Sequence, residues 1–281
     1  MKIASFKAKG SARFGAVVAG GIVDLTAKFA GRAADLPGLI AADLLAEAAT
    51  FSAGAEPDFR IDEIEYLPLN PRTDARIFAL GVAYKDHQLE TGRADAELPS
   101  MFSKHPQSLV GHDQPMVKAK VSQMYDYEGE IVIVIGQGGR HIAEANALDH
   151  VAGYSILVDG SIRDYQKHSV TAGKNFDRSS SFGPWMLTRD EVLDWKKLVL
   201  TTRLNGEQVQ HSAWGMLIWP IEFVIHYIST FTRLEPGDSI STGTPAGVGF
   251  RRNPPLFMQP GDRLEVEVSG IGTLRNRIVA E

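Results

Sequence analysis

The sequence contains no cysteine among its 281 residues. This absence excludes disulfide bonds, zinc–thiolate sites and a cysteine nucleophile. The sequence also lacks a run of about 18 consecutive apolar residues, the minimum for a helix that spans a membrane. The apolar runs at the N-terminus are too short and too interrupted for a secretory signal. We therefore expect a cytoplasmic protein with no membrane contact.

Positive charge is also scarce. Lysine and arginine number 29 against 34 aspartates and glutamates, which gives a net charge of -5. Without a basic run, the chain is a poor candidate for binding nucleic acid. The content of 44% hydrophobic and 22% charged residues is that of an ordinary globular protein. A metabolic enzyme and a binding domain are equally open at this point.

The chain divides into two parts of unlike pattern. Residues 1–70 combine short strands, glycine-containing turns and an alanine- and leucine-rich segment, Leu36–Ala55, that indicates a helix. Two prolines in Tyr66–Pro71 are typical of a connector. We predict a small N-terminal subdomain over residues 1–70 and a main catalytic domain over residues 71–281.

The main domain is rich in short strands. Glu128–Ile135 is the strongest of them, with several β-branched residues. Leu198–His211 contains Asn205-Gly206, the favoured turn of a two-residue hairpin. The apolar segment Trp214–Ser229 indicates a buried helix. The predicted fold class is α+β, dominated by its strands.

Acidic residues alternate at the start of the strongest strand. Asp126, Glu128 and Glu130 are two residues apart, so on a strand they share one face. Like charges on one face repel each other unless they are solvated or balanced by a cation. A solvated strand face explains the pattern as well as a Mg²⁺ or Mn²⁺ site does. Asp159 ends another apolar run beside a glycine, a position that suits a ligand or a simple turn.

Seven sequence blocks that occur in one order allow a more specific interpretation of these carboxylates. The blocks are GVAYKDHQLETG, YDYEGEIVIVIG, VAGYSILVDGSIRDYQ, GKNFDRSSSFGPW, LNGEQVQ, LEPGDSISTGTPAGVG and LEVEVSGIGTLRN. Together they resemble the fumarylacetoacetate hydrolase family over about residues 71–281. No residue before about 70 contributes. Ala83 departs from the family, which usually has asparagine there.

The resemblance implies a metal-dependent enzyme. It implies a mixed β-sandwich or roll around Mg²⁺ or Mn²⁺, acting on small α-keto or 1,3-dioxo acids, and a homodimer. The implied metal ligands are Glu128, Glu130 and Asp159. Asp126 then lies beside the ligands.

The resemblance also implies groups that contact substrate. Lys174 is expected to act in catalysis by adding positive charge beside the substrate oxygens. The expected substrate-binding residues are Tyr84, Lys104, Arg163, Gln166 and Thr244.

His87 and Glu90 form the expected acid–base pair. Three residues apart on a helix, they come within hydrogen-bonding reach of each other. Glu90 can fix the tautomer of His87, which can then take a proton from water. A solvated pair on a polar helix is the plainer alternative. The surrounding segment 84–105 is a possible lid, in which Arg93 could add positive charge.

Three functions follow as hypotheses. The first is a hydrolase that cleaves a C–C bond in an acylpyruvate or related diketo acid through a metal-bound enolate. The second is an oxaloacetate-type decarboxylase or a 2-hydroxyhepta-2,4-diene-1,7-dioate-type isomerase at the same metal site. The third is a non-catalytic domain that binds a metal or ligand. The family hosts the first two reactions, so these motifs do not separate them.

Overall fold

The computed structural model describes residues 1–92 and 96–281. Its architecture is mixed α+β and dominated by strands, as the sequence predicts. The N-terminal part forms strands β1 (Lys2–Ala8), β2 (Ser11–Val18), β3 (Gly21–Asp24), β4 (Phe59–Arg60) and β5 (Glu65–Tyr66), and helices α1 (Leu25–Lys28), α2 (Leu36–Ala41) and α3 (Leu45–Ser52).

The single helix predicted over Leu36–Ala55 is wrong. The structure has two helices there, separated by residues 42–44. Asp43 adopts a left-handed φ of 55°, which a continuing helix does not allow. Aspartate is among the few residues that tolerate this conformation, and it ends the first helix.

The main part supplies the remaining elements. Its strands are β6 (Ile77–Gly81), β7 (Ser100–Lys104), β8 (Leu109–Val110), β9 (Met116–Lys118), β10 (Tyr125–Asp126), β11 (Gly129–Ile135), β12 (Val151–Val158), β13 (Ser161–Ile162), β14 (Ser180–Thr188), β15 (Val199–Leu204), β16 (Glu207–Ala213), β17 (Ser239–Ser241), β18 (Arg263–Val268) and β19 (Gly272–Ala280). Its helices are α4 (Lys85–Thr91), α5 (Arg163–Gln166), α6 (Val170–Lys174) and α7 (Ile221–Phe231).

The largest sheet joins both parts of the chain. Its order is β4-β3-β2-β1-β14-β12-β11-β17-β6-β7, with β5 on β1 and β8 on β14. The join is the antiparallel pair of β1 and β14, with Lys2 opposite Leu187. The boundary at residue 70 stays a prediction, and the structure shows that one sheet crosses it.

A second sheet packs on the middle of the first. Its order is β16-β15-β18-β19-β9. Ile131 and Ile133 of β11 share one buried cluster with Leu200 and Val266 of this second sheet. The neighbouring residue Val132 belongs to a different buried cluster, on the other face of β11. Strand β11 is therefore buried on both faces, and any charge on it needs a partner inside the protein.

Two local predictions have different outcomes. The Asn205-Gly206 hairpin is confirmed, since β15 and β16 pair around a turn with φ values of 54° and 87°. The helix predicted from Trp214 is wrong in its first half. Helix α7 begins only at Ile221, because Pro220 pushes the residue before it out of the helical region. Among the described residues, no helix is long and apolar enough to cross a membrane.

Gly153 offers a test of the central sheet packing. A Cβ atom there would lie 2.2 Å from the carbonyl oxygen of Leu187 on β14. We expect Gly153→Ala to lower the free energy of unfolding by more than about 2 kcal/mol, because neither strand can move away. Gly81→Ala is the control, since its nearest non-neighbouring atom would be 3.6 Å away. Equal stability of the two variants in urea denaturation would contradict this packing.

Candidate metal centre and active-site cleft

Three buried carboxylates meet where β11 and β12 lie side by side. Glu128 precedes β11, Glu130 lies within it, and Asp159 follows β12. The strands are antiparallel, and the Asp159 amide donates to the Glu128 carbonyl at 2.9 Å. The register therefore brings residues far apart in sequence together. One oxygen from each carboxylate lies within 4.8 Å of the others, a spacing that a single ion can bridge.

A glycine allows the chain to turn at this point. Gly160 follows Asp159, and a Cβ atom there would lie 1.7 Å from the Ser179 carbonyl oxygen. Strand β14 lies close to this turn, and the Gly160 amide donates a hydrogen bond to Ser180 Oγ at 3.0 Å. The Asp-Gly pair in the sequence is therefore a packing requirement as well as a turn.

Two of the carboxylates form ion pairs with cationic side chains of the protein. Lys174 Nζ donates to Glu128 Oε2 at 2.5 Å and to Asp159 Oδ2 at 2.6 Å. Arg163 Nη2 lies 2.7 Å from Glu128 Oε1. Lys104 Nζ donates to Asp159 Oδ1 at 2.8 Å. Such pairing is what makes a buried charge tolerable, and loss of one partner leaves the other uncompensated.

Glu130 differs from its neighbours because one of its oxygens is open. Its Oε2 accepts from Ser241 Oγ at 2.6 Å and from the Gly243 amide at 3.0 Å. Its Oε1 is buried and has no hydrogen-bond partner among the described residues. A buried oxygen of this kind is costly unless a bound group completes it. It is the clearest local indication of a cation site.

Burial and charge set the two glutamates apart. Burial, with the nearby charges of Asp159 and Glu128, raises the pKa of Glu130 to about 8. Burial alone would also raise the pKa of Glu128, but Lys174 and Arg163 outweigh it and lower that pKa to about 2. Glu128 is thus ionised, whereas Glu130 holds its proton until a cation or high pH removes it.

The charge balance fits a divalent ion. The buried carboxyl groups are Asp126, Glu128, Glu130 and Asp159, and the cations that contact them are Lys104, Arg163 and Lys174. Once Glu130 is ionised, the four carboxylates and the three cations leave one uncompensated negative charge. A divalent cation would make the centre positive by one charge, which favours an anionic ligand. Carboxylate oxygens are the donors that Mg²⁺ and Mn²⁺ prefer.

Asp126 lies beside this group and ties it to a loop. Its Oδ1 accepts from the Gly249 amide at 2.8 Å, and its Oδ2 accepts from the Phe250 amide at 2.9 Å. Arg163 Nε donates to Oδ2 at 2.8 Å. Asp126 therefore fixes both Arg163, which contacts Glu128, and the loop at residues 249–250.

A cleft of about 250 Å³ reaches the carboxylate group at Glu128, which is part of its lining. His87, Gln166 and Thr244 contribute to its lining, together with Glu128 and Lys174. The cleft thus gathers predicted residues from five separate blocks of the sequence.

The predicted histidine–glutamate pair is formed. Helix α4 spans Lys85–Thr91, and His87 Nδ1 lies 2.7 Å from Glu90 Oε2. The other carboxylate oxygen of Glu90 accepts from the Gly247 amide at 2.9 Å. His87 is 6% exposed, so the solvated alternative does not describe it. Because Glu90 holds Nδ1, Nε2 is the nitrogen that can exchange a proton with a ligand.

Other predicted residues take different places. Thr244 Oγ1 donates to the Gly129 carbonyl at 2.9 Å, and Gln166 Oε1 accepts from Arg163 Nη1 at 3.0 Å. Tyr84 is fully buried and is not part of the cleft lining, and its hydroxyl has no partner among the described residues. Burial and the charge of Glu130 raise the Tyr84 pKa well above its usual value. Arg93, the possible lid cation, lies outside the described residues.

Lys104 contacts the carboxylate group through Asp159. Its ammonium is fully enclosed and donates to Asp159, to Ser180 Oγ and to the carbonyl of Lys174. An ammonium has three N–H groups, and these three partners use them all. The geometry therefore favours a role in orienting Asp159 over the predicted contact with substrate.

One supporting residue escaped the sequence analysis. Gln210 Nε2 donates to Thr244 Oγ1 at 2.7 Å, and Gln210 Oε1 accepts from the Gly129 amide at 3.0 Å. It thus ties β16 to the start of β11. Gln210 is the last residue of the block LNGEQVQ, and nothing in that block distinguishes it from its polar neighbours.

Comparisons with known proteins show the family to which the chain belongs. The family described as fumarylacetoacetate (FAA) hydrolase C-terminal matches residues 76–279. The mitochondrial oxaloacetate tautomerase fahd2 of Xenopus laevis is 37% identical over 208 residues, which are 73% of this chain and 65% of that protein. The chain thus spans slightly less than two thirds of that relative. Oxaloacetate tautomerase YisK of Bacillus subtilis is 36% identical over 226 residues, 78% of this chain and 75% of that protein.

A solved structure extends the likeness to the whole chain. It is maleylpyruvate hydrolase from Sphingobium sp. SYK-6 in complex with manganese (II) ion and pyruvate. The two structures superpose with a TM-score of 0.83 at 26% identity, covering 100% of this chain and 99% of the other.

The open oxygen of Glu130 predicts a pH-dependent metal affinity. The cation must displace the proton that this buried carboxyl holds below its pKa of about 8. Between about pH 6 and about pH 7.5, Mn²⁺ affinity should rise by up to about tenfold per pH unit. Calorimetric titration in two buffers of different ionisation heat should show about one proton released per ion at the lower pH.

Glu130→Gln is the control for this titration, because an amide has no proton to release in this range. We expect its Mn²⁺ affinity to be lower and nearly independent of pH. An equally steep pH dependence in this variant would assign the released proton to another group.

Proposed function

Since the chain belongs to the fumarylacetoacetate hydrolase family, we propose that it is a metal-dependent enzyme that interconverts the keto and enol forms of a small α-keto acid. Oxaloacetate is the first candidate substrate. The observation that carries the proposal is the buried group of Glu128, Glu130 and Asp159, with its open oxygen, beside a cleft lined by His87, whose Nδ1 contacts Glu90.

The three carboxylates would hold Mg²⁺ or Mn²⁺. The manganese in the related maleylpyruvate hydrolase structure supports an ion of this class. When bound, such an ion would act as a Lewis acid on a keto oxygen and stabilise the negative charge that develops there. Cation pairing at Glu128 and Asp159 fixes the orientation of two of these ligands before any ion arrives.

His87 would move the proton. Keto–enol conversion takes a proton from the carbon next to the keto group and places a proton on the keto oxygen, so one group can act as the base at carbon and then as the acid at oxygen. With Nδ1–H donated to Glu90, the imidazole presents its basic Nε2 to the cleft. Glu90 also stabilises the imidazolium that forms.

Lys174 and Arg163 would supply fixed positive charge. Both line the cleft and are bound to Glu128, so their positions are set before substrate enters. Preorganised charge of this kind costs no rearrangement during the reaction. Gln166 and Thr244 would contact substrate beside them. The roles assigned to these side chains are proposals, as are the homodimer and the cytoplasmic location.

Tautomerisation is preferred to C–C hydrolysis for a specific reason. The hydrolase hypothesis was the first choice from the sequence, but the relatives at 36–37% identity are named oxaloacetate tautomerases. Hydrolysis remains the second candidate, because His87 could also activate water and the maleylpyruvate hydrolase matches the full chain at 26% identity. The contact between His87 and Glu90 argues against a non-catalytic binding domain, which needs no acid–base pair.

The proposal predicts a metal-dependent loss of enol. With Mg²⁺ or Mn²⁺, the protein should speed the ultraviolet absorbance change of enol-oxaloacetate, and a chelator should remove the effect. His87→Gln should lower kcat by about 10²- to 10⁴-fold, the usual contribution of a general base. His141→Gln, an exposed histidine outside the cleft lining, is the matched control. Equal rates for both variants would exclude His87 as the base.

Product mass separates the two candidate reactions. A tautomerase leaves the substrate mass unchanged, whereas a hydrolase converts an acylpyruvate into pyruvate and the matching acid. We expect no cleavage of acetylpyruvate by metal-loaded protein under conditions where enol-oxaloacetate is converted. Cleavage at a comparable rate would make the hydrolase the better description.

A further inference from the structure

The lining of the cleft contains more positive charge than its carboxylates require. Arg163, Lys167, Lys174 and Arg251 are the cations of the lining, and Glu128 is its carboxylate. Lys174 is buried and Arg163 is partly buried, and both are already paired with carboxylates. Lys167 and Arg251 are exposed, and neither pairs with a carboxylate among the described residues. We call these two residues the cationic rim.

The rim lies next to the proposed metal centre. The guanidinium carbon of Arg163 lies 5.9 Å from the ring centroid of Phe250, and that of Arg251 lies 5.4 Å from the same centroid. One aromatic ring therefore links the arginine that contacts Glu128 to the arginine of the rim. Lys167 directly follows helix α5, which begins with Arg163. Both rim residues are thus attached to elements that shape the metal end of the cleft.

Arg251 is also held in place. Its Nη2 donates to the Thr91 carbonyl, at the end of helix α4, at 3.1 Å. This contact uses one of five N–H groups of the guanidinium, so others remain for a ligand. The backbone beside it is fixed because the Phe250 amide donates to Asp126. Preorganisation of this kind lowers the entropy lost when a ligand binds.

We propose that Lys167 and Arg251 bind the distal carboxylate of the substrate and so select dicarboxylic over monocarboxylic keto acids. The inference rests on the proposed function, in which the keto acid head faces the metal centre. A monocarboxylic substrate would leave both rim charges with water alone. A second carboxylate would gain charge-assisted hydrogen bonds, and a guanidinium matches its two oxygens.

A matched ligand pair tests this selection. Oxaloacetate and 2-oxobutyrate have the same four-carbon chain and the same keto acid head, but only oxaloacetate has a second carboxylate. The dissociation constants of both would be measured by calorimetry on Mn²⁺-loaded protein, and exchange of their C3 protons for deuterium would be followed by NMR. We expect the wild type to bind oxaloacetate at least about tenfold more tightly, in line with the strength of charge-assisted bonds.

The variants isolate the rim. Arg251→Gln and Lys167→Gln should each reduce the preference for oxaloacetate severalfold, while 2-oxobutyrate binding and exchange stay unchanged. Arg251→Lys keeps the charge and should retain most of the preference. Arg277→Gln removes an equal charge from an exposed position of β19, outside the cleft lining, and should have no effect.

Each result decides the question. Loss of the preference in the rim variants alone would support the subsite. An unchanged preference in them, or none in the wild type, would overturn it while leaving the proposed function intact. If Arg251→Gln weakened the binding of both ligands equally, the subsite would also be overturned. Arg251 would then affect binding only by holding helix α4 through its hydrogen bond to the Thr91 carbonyl. Exchange of neither ligand by the wild type would remove the proposed function and this inference with it.

Discussion

Four carboxyl groups share one small buried region, and the need to compensate their charge organises the site around them. Asp126, Glu130 and Asp159 are fully buried and Glu128 nearly so. Unpaired ionised carboxylates cannot remain in such surroundings, because desolvation would either neutralise or expel them. Each therefore has a specific partner, and Glu130 Oε1, which has none in the part of the chain that the structure describes, marks the place where an external cation fits.

The same compensation links distant parts of the fold. Lys104 from the end of β7 and Lys174 from the end of α6 both reach Asp159, so the centre joins segments that are 70 residues apart in sequence. Asp126 extends the link to the loop of Phe250, and Glu90 reaches the same loop through Gly247. The buried carboxylates and the His87–Glu90 pair are thus tied to one stretch of chain at residues 247–250, which leads directly into Arg251 of the rim.

Short-range patterns in the sequence predicted the local parts of this structure. The Asn205-Gly206 turn and the three-residue spacing of His87 and Glu90 depend only on neighbours in the chain, and each is present as expected. The placement of Asp126, Glu128 and Glu130 on one face of a single strand is wrong, because Asp126 belongs to β10 and Glu128 precedes β11. The resemblance added the fold, which is confirmed, since ordered blocks carry long-range information that periodicity lacks. It also indicated Glu128, Glu130 and Asp159, which the structure brings together, and their role as metal ligands stays a prediction. Composition favours one continuous helix over Leu36–Ala55 and another over Trp214–Ser229. The backbone at Asp43 interrupts the first, and Pro220 delays the start of the second.

Long-range contacts account for what the sequence did not show. Nothing near Lys104 indicates that its three N–H groups are used inside the protein, because its partners come from two other segments. Gln210 and Arg251 likewise take their positions from strands and loops far away in sequence. Such residues become identifiable only when the sheet register places them beside the carboxylates.

The location of bound Mn²⁺ tests the central claim most directly. A crystal of the protein soaked in Mn²⁺ would be measured at a wavelength where manganese scatters anomalously. The account predicts one strong anomalous peak within about 2.0–2.3 Å of oxygens from Glu128, Glu130 and Asp159, the range of metal–carboxylate contacts. A peak elsewhere, or none at these residues under saturating Mn²⁺, would contradict it.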